Sequence, residues 1–206
     1  MPVWVKICGI TSATDAVAAA EAGADALGFM FFEGSKRRIT PAAAAEIIRD
    51  LPAFISKIGV FVNATQEEVL RTIELTGIDG LQFHGDESAE FCARFATPKV
   101  IKAFRIRDRA SLQHCREYGD QAWLLDSHVE GVLGGTGVKF DWEVAVEAVK
   151  LHPRVILAGG LKPETVADAV RQVRPYGVDV SSGVESAPGK KDHARVRAFI
   201  KAARSV

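Results

Sequence analysis

A closed (β/α)8 barrel is the fold this sequence predicts, and three observations predict it. Eight short β-branched or aromatic runs alternate with segments of helical period. Most runs begin about 20 to 30 residues apart, the length of one strand–loop–helix–loop unit. Glycine-rich turns gather late, at GGTG (134–137), AGG (158–160) and SSG (181–183). The last two follow the seventh and eighth runs, where such a barrel places a phosphate site. An open doubly wound sheet would instead carry GxGxxG after its first strand, and no such motif is there.

The runs, in order, are VWVKIC (3–8), ADALGFMF (24–31), KIGVFV (57–62), GLQFHG (80–85), KVIKAF (99–104), AWLLDS (122–127), RVILAG (154–159) and GVDVSS (177–182). Their lengths suit buried strands. Helical spacing between them is clearest in Ala44, Ile47, Ile48 and Leu51, in Val166, Ala169, Val170 and Val173, and in Val196, Phe199, Ile200 and Ala203. Ser12 with Asp15 and Thr65 with Glu68 have capping-box spacing. Pro41 and Pro163 are expected at the first helical position, where a missing N–H costs nothing.

Composition sets the remaining bounds. At 206 residues the chain suffices for one sizeable core, so residues 1–206 are expected to form a single barrel domain. Apolar residues make up 48% and charged residues 25%, ordinary globular values that exclude a disordered or fibrous chain. The formal net charge of zero argues against a nucleic-acid or acidic-membrane partner and leaves room for a local anion pocket. Cys8, Cys92 and Cys115 are odd in number and widely spaced. That pattern speaks against disulfides and structural zinc and for a reducing cytoplasm. Neither a signal peptide nor a transmembrane run is evident.

Chemistry in this fold gathers at the C-terminal strand ends. Those ends carry Cys8, Asn63, Gln82 with His84, Arg105, Asp126, Gly159 with Gly160, and Asp179 with Ser182 and Gly183, while the loop after the second strand adds Arg37. Alternation puts Val3, Val5 and Ile7 on one face and Trp4, Lys6 and Cys8 on the other. Cys8 should then point into the barrel, with Lys6 about 7 Å below it. An ammonium there favours thiolate and makes Cys8 a better base. The same parity turns Asp126 and Asp179 inward. On strand five, Lys102 and Arg105 have opposite parity, so only one faces the interior.

Each residue alone has a plainer reading. A strand-end cysteine packs, SKRR is a solvated run, and HGDE (84–87) is a helix start capped by Asp86 rather than a metal site. Convergence of thiol, carboxylates, cations and glycine amides on one mouth is what points to acid/base chemistry on a phosphorylated small molecule.

KICGIT (6–11), GADALGFMFFEGSKRRIT (23–40), GVFVN (59–63), LQFHGDE (81–87), LLDS (124–127), GGTGVKFDW (134–142), ILAGGLKPETV (156–166), GVDVSSGVES (177–186) and PGKKD (188–192) resemble, in order, the motifs of the phosphoribosylanthranilate isomerases. The resemblance implies an Amadori rearrangement in tryptophan biosynthesis. In it N-(5-phosphoribosyl)anthranilate becomes 1-(2-carboxyphenylamino)-1-deoxyribulose 5-phosphate. It implies Cys8 as general base and Asp126 as general acid, with no metal and no cofactor, because the substrate's own imine is the electron sink. It further implies Arg37 on the anthranilate carboxylate, Gln82, His84 and Asp179 on the substrate, and Gly159, Gly160, Ser182 and Gly183 around the phosphate. Lys36 stands where the family often has proline. The only partner implied is the small-molecule substrate, with the chain a monomer or homodimer. Two other readings share the frame. One is another phosphosugar barrel enzyme, an indole-glycerol-phosphate synthase or a Schiff-base aldolase, relying on Lys6 or Lys102; the other is a non-catalytic phosphate-ligand module.

Overall fold

The computed structural model describes residues 2–95, 99–106, 108–127 and 142–206. Eight parallel strands form a closed barrel in chain order: β1 (Trp4–Cys8), β2 (Ala26–Met30), β3 (Ser56–Phe61), β4 (Gly80–Phe83), β5 (Lys99–Ile106), β6 (Ala122–Ser127), β7 (Val155–Leu157) and β8 (Gly177–Val180). Closure is made by β8 on β1, with Trp4, Val5, Lys6 and Ile7 opposite Gly177, Val178, Asp179 and Val180. All eight predicted strands are present. The predicted turn at GGTG (134–137) lies outside the described residues.

Helices α1 (Ala13–Glu21), α2 (Pro41–Arg49), α3 (Gln66–Thr76), α4 (Ala89–Ala93), α5 (Ser111–Cys115), α6 (Trp142–Leu151), α7 (Val166–Val173) and α8 (His193–Ala203) follow the strands. A two-stranded hairpin, β9 (Glu185–Ala187) with β10 (Lys190–Lys191), stands between β8 and α8. Among the described residues no helix is long and apolar enough to cross a membrane.

Local chemistry explains most helix starts. Thr65 and Glu68 form the full reciprocal capping box at α3. Thr40 caps α2, with Pro41 at its first position. Ser12 accepts from the Asp15 amide as expected, but the Asp15 side chain bonds the Lys191 amide instead of closing the box. Two expectations are corrected. Pro163 is not helical: it sits in a turn in which the Thr165 and Val166 amides donate to the Lys162 carbonyl, and α7 begins at Val166. Ser88, not Asp86, caps α4, because its hydroxyl accepts from the Phe91 amide while Asp86 is engaged by Asn63.

Strand alternation divides the apolar residues into two layers. Val5, Ile7, Leu27, Phe29, Leu81, Phe83, Leu125 and Val178 point outward and pack under the helices. Ala26, Ile58, Ile101, Ala103, Leu124, Ile156 and Ala158 fill the interior, with Trp4 and Ala122 packed against them. This settles strand five: Arg105 shares the inward parity of Ile101 and Ala103, and Lys102 lies in the outer layer. There Lys102 Nζ, 3% exposed, pairs with Glu87 at 3.1 Å. Phe199 on α8 has no exposed surface. Phe199→Ala is expected to cost about 3–5 kcal/mol, measured as a lower urea midpoint, with activity per folded molecule unchanged.

Candidate active site

Three side chains of β1 point into the barrel at successive heights. Trp4 packs on the apolar interior, Lys6 lies in the middle with no exposed surface, and Cys8 stands at the top. Gly28, the register partner of Cys8 on β2, leaves space for them. A Cβ at Gly28 would stand 2.7 Å from Cys8 Sγ and 3.1 Å from Lys6 Nζ. Above the thiol the chain turns at Gly9, whose φ of +78° suits glycine.

Lys6 Nζ donates to Asp179 Oδ1 at 2.9 Å across the seam between the first and last strands. Burial opposes its charge, but Asp179 and Cys8 outweigh that, so its pKa is raised. For Cys8 the balance goes the other way. Burial raises the thiol pKa; Lys6 and Lys191 pull it down, Asp179 pushes it up, and the net is a rise. Lys6 favours the thiolate, as expected of an ammonium there, and burial exceeds its influence. Lysine chemistry fits poorly here, because Lys6 is a buried, paired ammonium and Lys102 leaves the barrel on its outer face.

Arg37 comes from the β2–α2 loop, where the Ser35 hydroxyl accepts from its amide at 3.1 Å. Its guanidinium grips Glu185 with two parallel bonds, Nε to Oε1 at 2.8 Å and Nη2 to Oε2 at 2.7 Å. Among the described residues Nη1 has no hydrogen-bond partner. Buried Lys191 donates to Glu185 Oε1 at 2.9 Å and to the Cys8 carbonyl at 2.6 Å. Burial alone would raise the Glu185 carboxyl; Arg37 and Lys191 together hold it below its ordinary value.

On the other side of the mouth, Asp126 at the top of β6 lies 3.3 Å from His84 Nε2 through Oδ2. Its register partner on β5 is Arg105. Gln82 Nε2 donates to His84 Nδ1 at 3.1 Å. Gln82 is only 1% exposed and is bonded to the half-buried His84 ring. The HGDE side chains diverge. His84 turns to Asp126, Asp86 bonds Asn63, and buried Glu87 accepts from the Asn63 and Gly85 amides and from Lys102.

Two late loops complete the rim. Gly159 and Gly160 follow β7 with φ of +80° and +68°. Ser182 and Gly183 open a 3₁₀ turn after β8. The loops meet directly, for a Cβ at Gly183 would overlap the Leu161 carbonyl oxygen. Glycine there is a packing requirement between two backbones.

Sequence reading missed Gly28, Glu185, Lys191 and the linkage of Gln82, His84 and Asp126. Glu185 and Lys191 fall inside resembling motifs, GVDVSSGVES and PGKKD. Their partners Arg37 and Cys8 are 148 and 183 residues away, so no local signal could pair them.

Fold and mouth together define a barrel enzyme that works by proton transfer at the C-terminal strand ends. Comparison with known proteins gives the family. Residues 5–202 match the model of the N-(5'-phosphoribosyl)anthranilate (PRA) isomerases, and the chain belongs to that family. It is 54% identical over 202 residues to the N-(5'-phosphoribosyl)anthranilate isomerase of Geotalea uraniireducens, covering 98% of each chain. The phosphoribosyl anthranilate isomerase of Thermotoga maritima superposes with a TM-score of 0.94 at 40% identity, over 99% of this chain and 100% of that one. Another solved isomerase, in complex with reduced 1-(o-carboxyphenylamino)-1-deoxyribulose 5-phosphate, superposes at 0.90 and 40% identity, over 99% and 100% of the two chains.

The raised Cys8 pKa predicts that, with this thiol as base, kcat/KM climbs with pH beyond the ordinary thiol range of about 8.5. Lys6→Met removes an influence that lowers the Cys8 pKa and leaves Asp179, which raises it. The limb is therefore expected to move to still higher pH, read from kcat/KM profiles of the two proteins.

Proposed function

We propose that this barrel isomerises N-(5'-phosphoribosyl)anthranilate in tryptophan biosynthesis, with Cys8 as the base and Asp126 as the acid. The observation that carries the reading is the inward placement of thiol and carboxyl on β1 and β6, both at the mouth of one closed barrel. Asp126 gives its proton to the furanose ring oxygen. The C1–O bond breaks as the anilino nitrogen lone pair forms the protonated Schiff base. Cys8 Sγ, as thiolate, then removes the C2 proton, and that electron pair neutralises the imine to give the enolamine. Tautomerisation moves the enol proton to C1 and leaves the ketone. Bonds and protons balance with no external oxidant or reductant, because C1 is reduced as C2 is oxidised.

The remaining residues hold the two ends of the substrate. Arg37, oriented by Glu185, offers its Nη1 edge to the anthranilate carboxylate, a planar partner suited to a guanidinium. Backbone amides around Gly159, Gly160, Ser182 and Gly183 face the phosphate, as concave runs of N–H groups do for anions. Asp179, paired with Lys6 at 2.9 Å, accepts hydroxyl hydrogens of the sugar. The three cysteines are unpaired and buried, which suits a reducing cytoplasm. The chain acts as a monomer or homodimer.

The purified protein is expected to consume fluorescent phosphoribosylanthranilate without added metal or cofactor. Cys8→Ala and Asp126→Asn should each lose at least about a hundredfold in kcat; near-normal turnover in either rejects that residue's role. Arg37→Ala is expected to raise KM for the substrate, and an unchanged KM would remove Arg37 from carboxylate binding.

A further inference from the structure

We infer that His84 is a positioning residue that returns the proton to Asp126 after each turnover, with Gln82 as the amide that accommodates both states of the imidazole. The inference rests on Asp126 being the acid.

The need for such a group follows from the proton balance. Through the enolamine, one proton leaves Asp126 for the ring oxygen and another passes from C2 to Cys8. The enzyme then holds a thiol and a carboxylate where its reacting form held a thiolate and an acid. These groups stand on β1 and β6, so the carboxylate requires its own source before the next substrate reacts.

His84 is the side chain placed to supply it. Its Nε2 is 3.3 Å from Asp126 Oδ2, and its side chain is 23% exposed, open to solvent on one side and bonded on the other. Imidazole is the group that takes up and releases protons most readily near neutral pH. In the observed arrangement Gln82 donates to Nδ1, so the hydrogen of the neutral ring is on Nε2, the nitrogen 3.3 Å from Asp126 Oδ2. Gln82 Oε1 meanwhile is buried with no hydrogen-bond partner among the described residues. An unpaired buried acceptor is costly unless another state uses it. Rotation of the amide by half a turn brings Oε1 to Nδ1, where it accepts a hydrogen carried by that nitrogen. His84 can then hold hydrogens on both nitrogens, pass the one on Nε2 to Asp126, and remain neutral with Nδ1–H bonded to Gln82. Solvent supplies one proton to His84, and Cys8 returns one to solvent. The cycle closes with no net change in the protein.

A residue that merely binds substrate gives a different signature. In His84→Ala, kcat should fall on the order of a hundredfold, the lower end of proton-transfer catalysis, while KM changes less than about twofold. Added imidazole should restore kcat in proportion to its protonated fraction. His84→Gln serves as the second variant, because it keeps an N–H near Asp126 but cannot pass a proton. It should fold and show the same kcat loss. A rise in KM with kcat unchanged, or a fall in kcat that imidazole does not reverse in a folded variant, would overturn the inference. Asp126→Asn in the same assay separates the two readings. If it retains turnover, the acid assignment has failed; if it is inactive while His84→Ala turns over normally, only the relay has failed.

Discussion

Lys6 and Asp179 meet at 2.9 Å in the centre of the barrel, at the register position where the last strand pairs with the first. Much of the mouth depends on this contact. An ammonium with no exposed surface is unfavourable by itself, and the pair persists because each charge answers the other. Removing one partner would leave the other buried and uncompensated, at a cost of about 3–5 kcal/mol. The interior below is apolar, from Ile58, Ile101, Leu124 and Ile156, so the pair marks the level at which the barrel changes from packed core to chemical site. Its position follows from alternation alone. Lys6 points inward because Val5 and Ile7 point outward, and Cys8 comes next on the inward face.

A second set of charges ties the end of the chain to its beginning. The hairpin after β8 carries Glu185 and Lys191. Glu185 orients Arg37, and Lys191 holds both Glu185 and the Cys8 carbonyl. Asp15 on α1 accepts from the Lys191 amide and faces His193 Nε2 at 2.7 Å. The backbone at the base and the guanidinium on the far loop are therefore fixed by one buried lysine. This gives PGKKD a structural purpose: its second lysine is 3% exposed and works from beneath the site.

Period and parity made the barrel legible. Eight apolar runs gave the strands, and alternation within VWVKIC turned Cys8 inward without knowledge of any partner. The helix boundaries were less legible where two caps competed. Asp86 and Ser88 both suit a helix start, and the choice was made by Asn63, a residue of another loop that claims Asp86. The charge on Cys8 was not legible either. Sequence places Lys6 near the thiol but does not give the depth of burial, and depth decides the sign. The link from Gln82 through His84 to Asp126 spans strands β4 and β6, which are not neighbours, so only the closed barrel brings its members together.

A buried thiol with a raised pKa looks ill suited to be a base, yet the order of steps resolves the difficulty. Burial favours Cys8 as a neutral thiol, which gives its proton to solvent before it acts as the base. Under the proposed roles, ring opening depends on Asp126, and its product is a cationic Schiff base whose iminium carbon lies one bond from C2. That cation makes the C2 proton acidic and supplies beside Sγ the positive charge that burial withheld. A thiolate becomes favourable where and when the substrate calls for it. On this reading the acid governs the base, because no cation forms until Asp126 has given up its proton. The state of the Asp126 carboxyl, and of the imidazole 3.3 Å from it, then limits how often Cys8 can act.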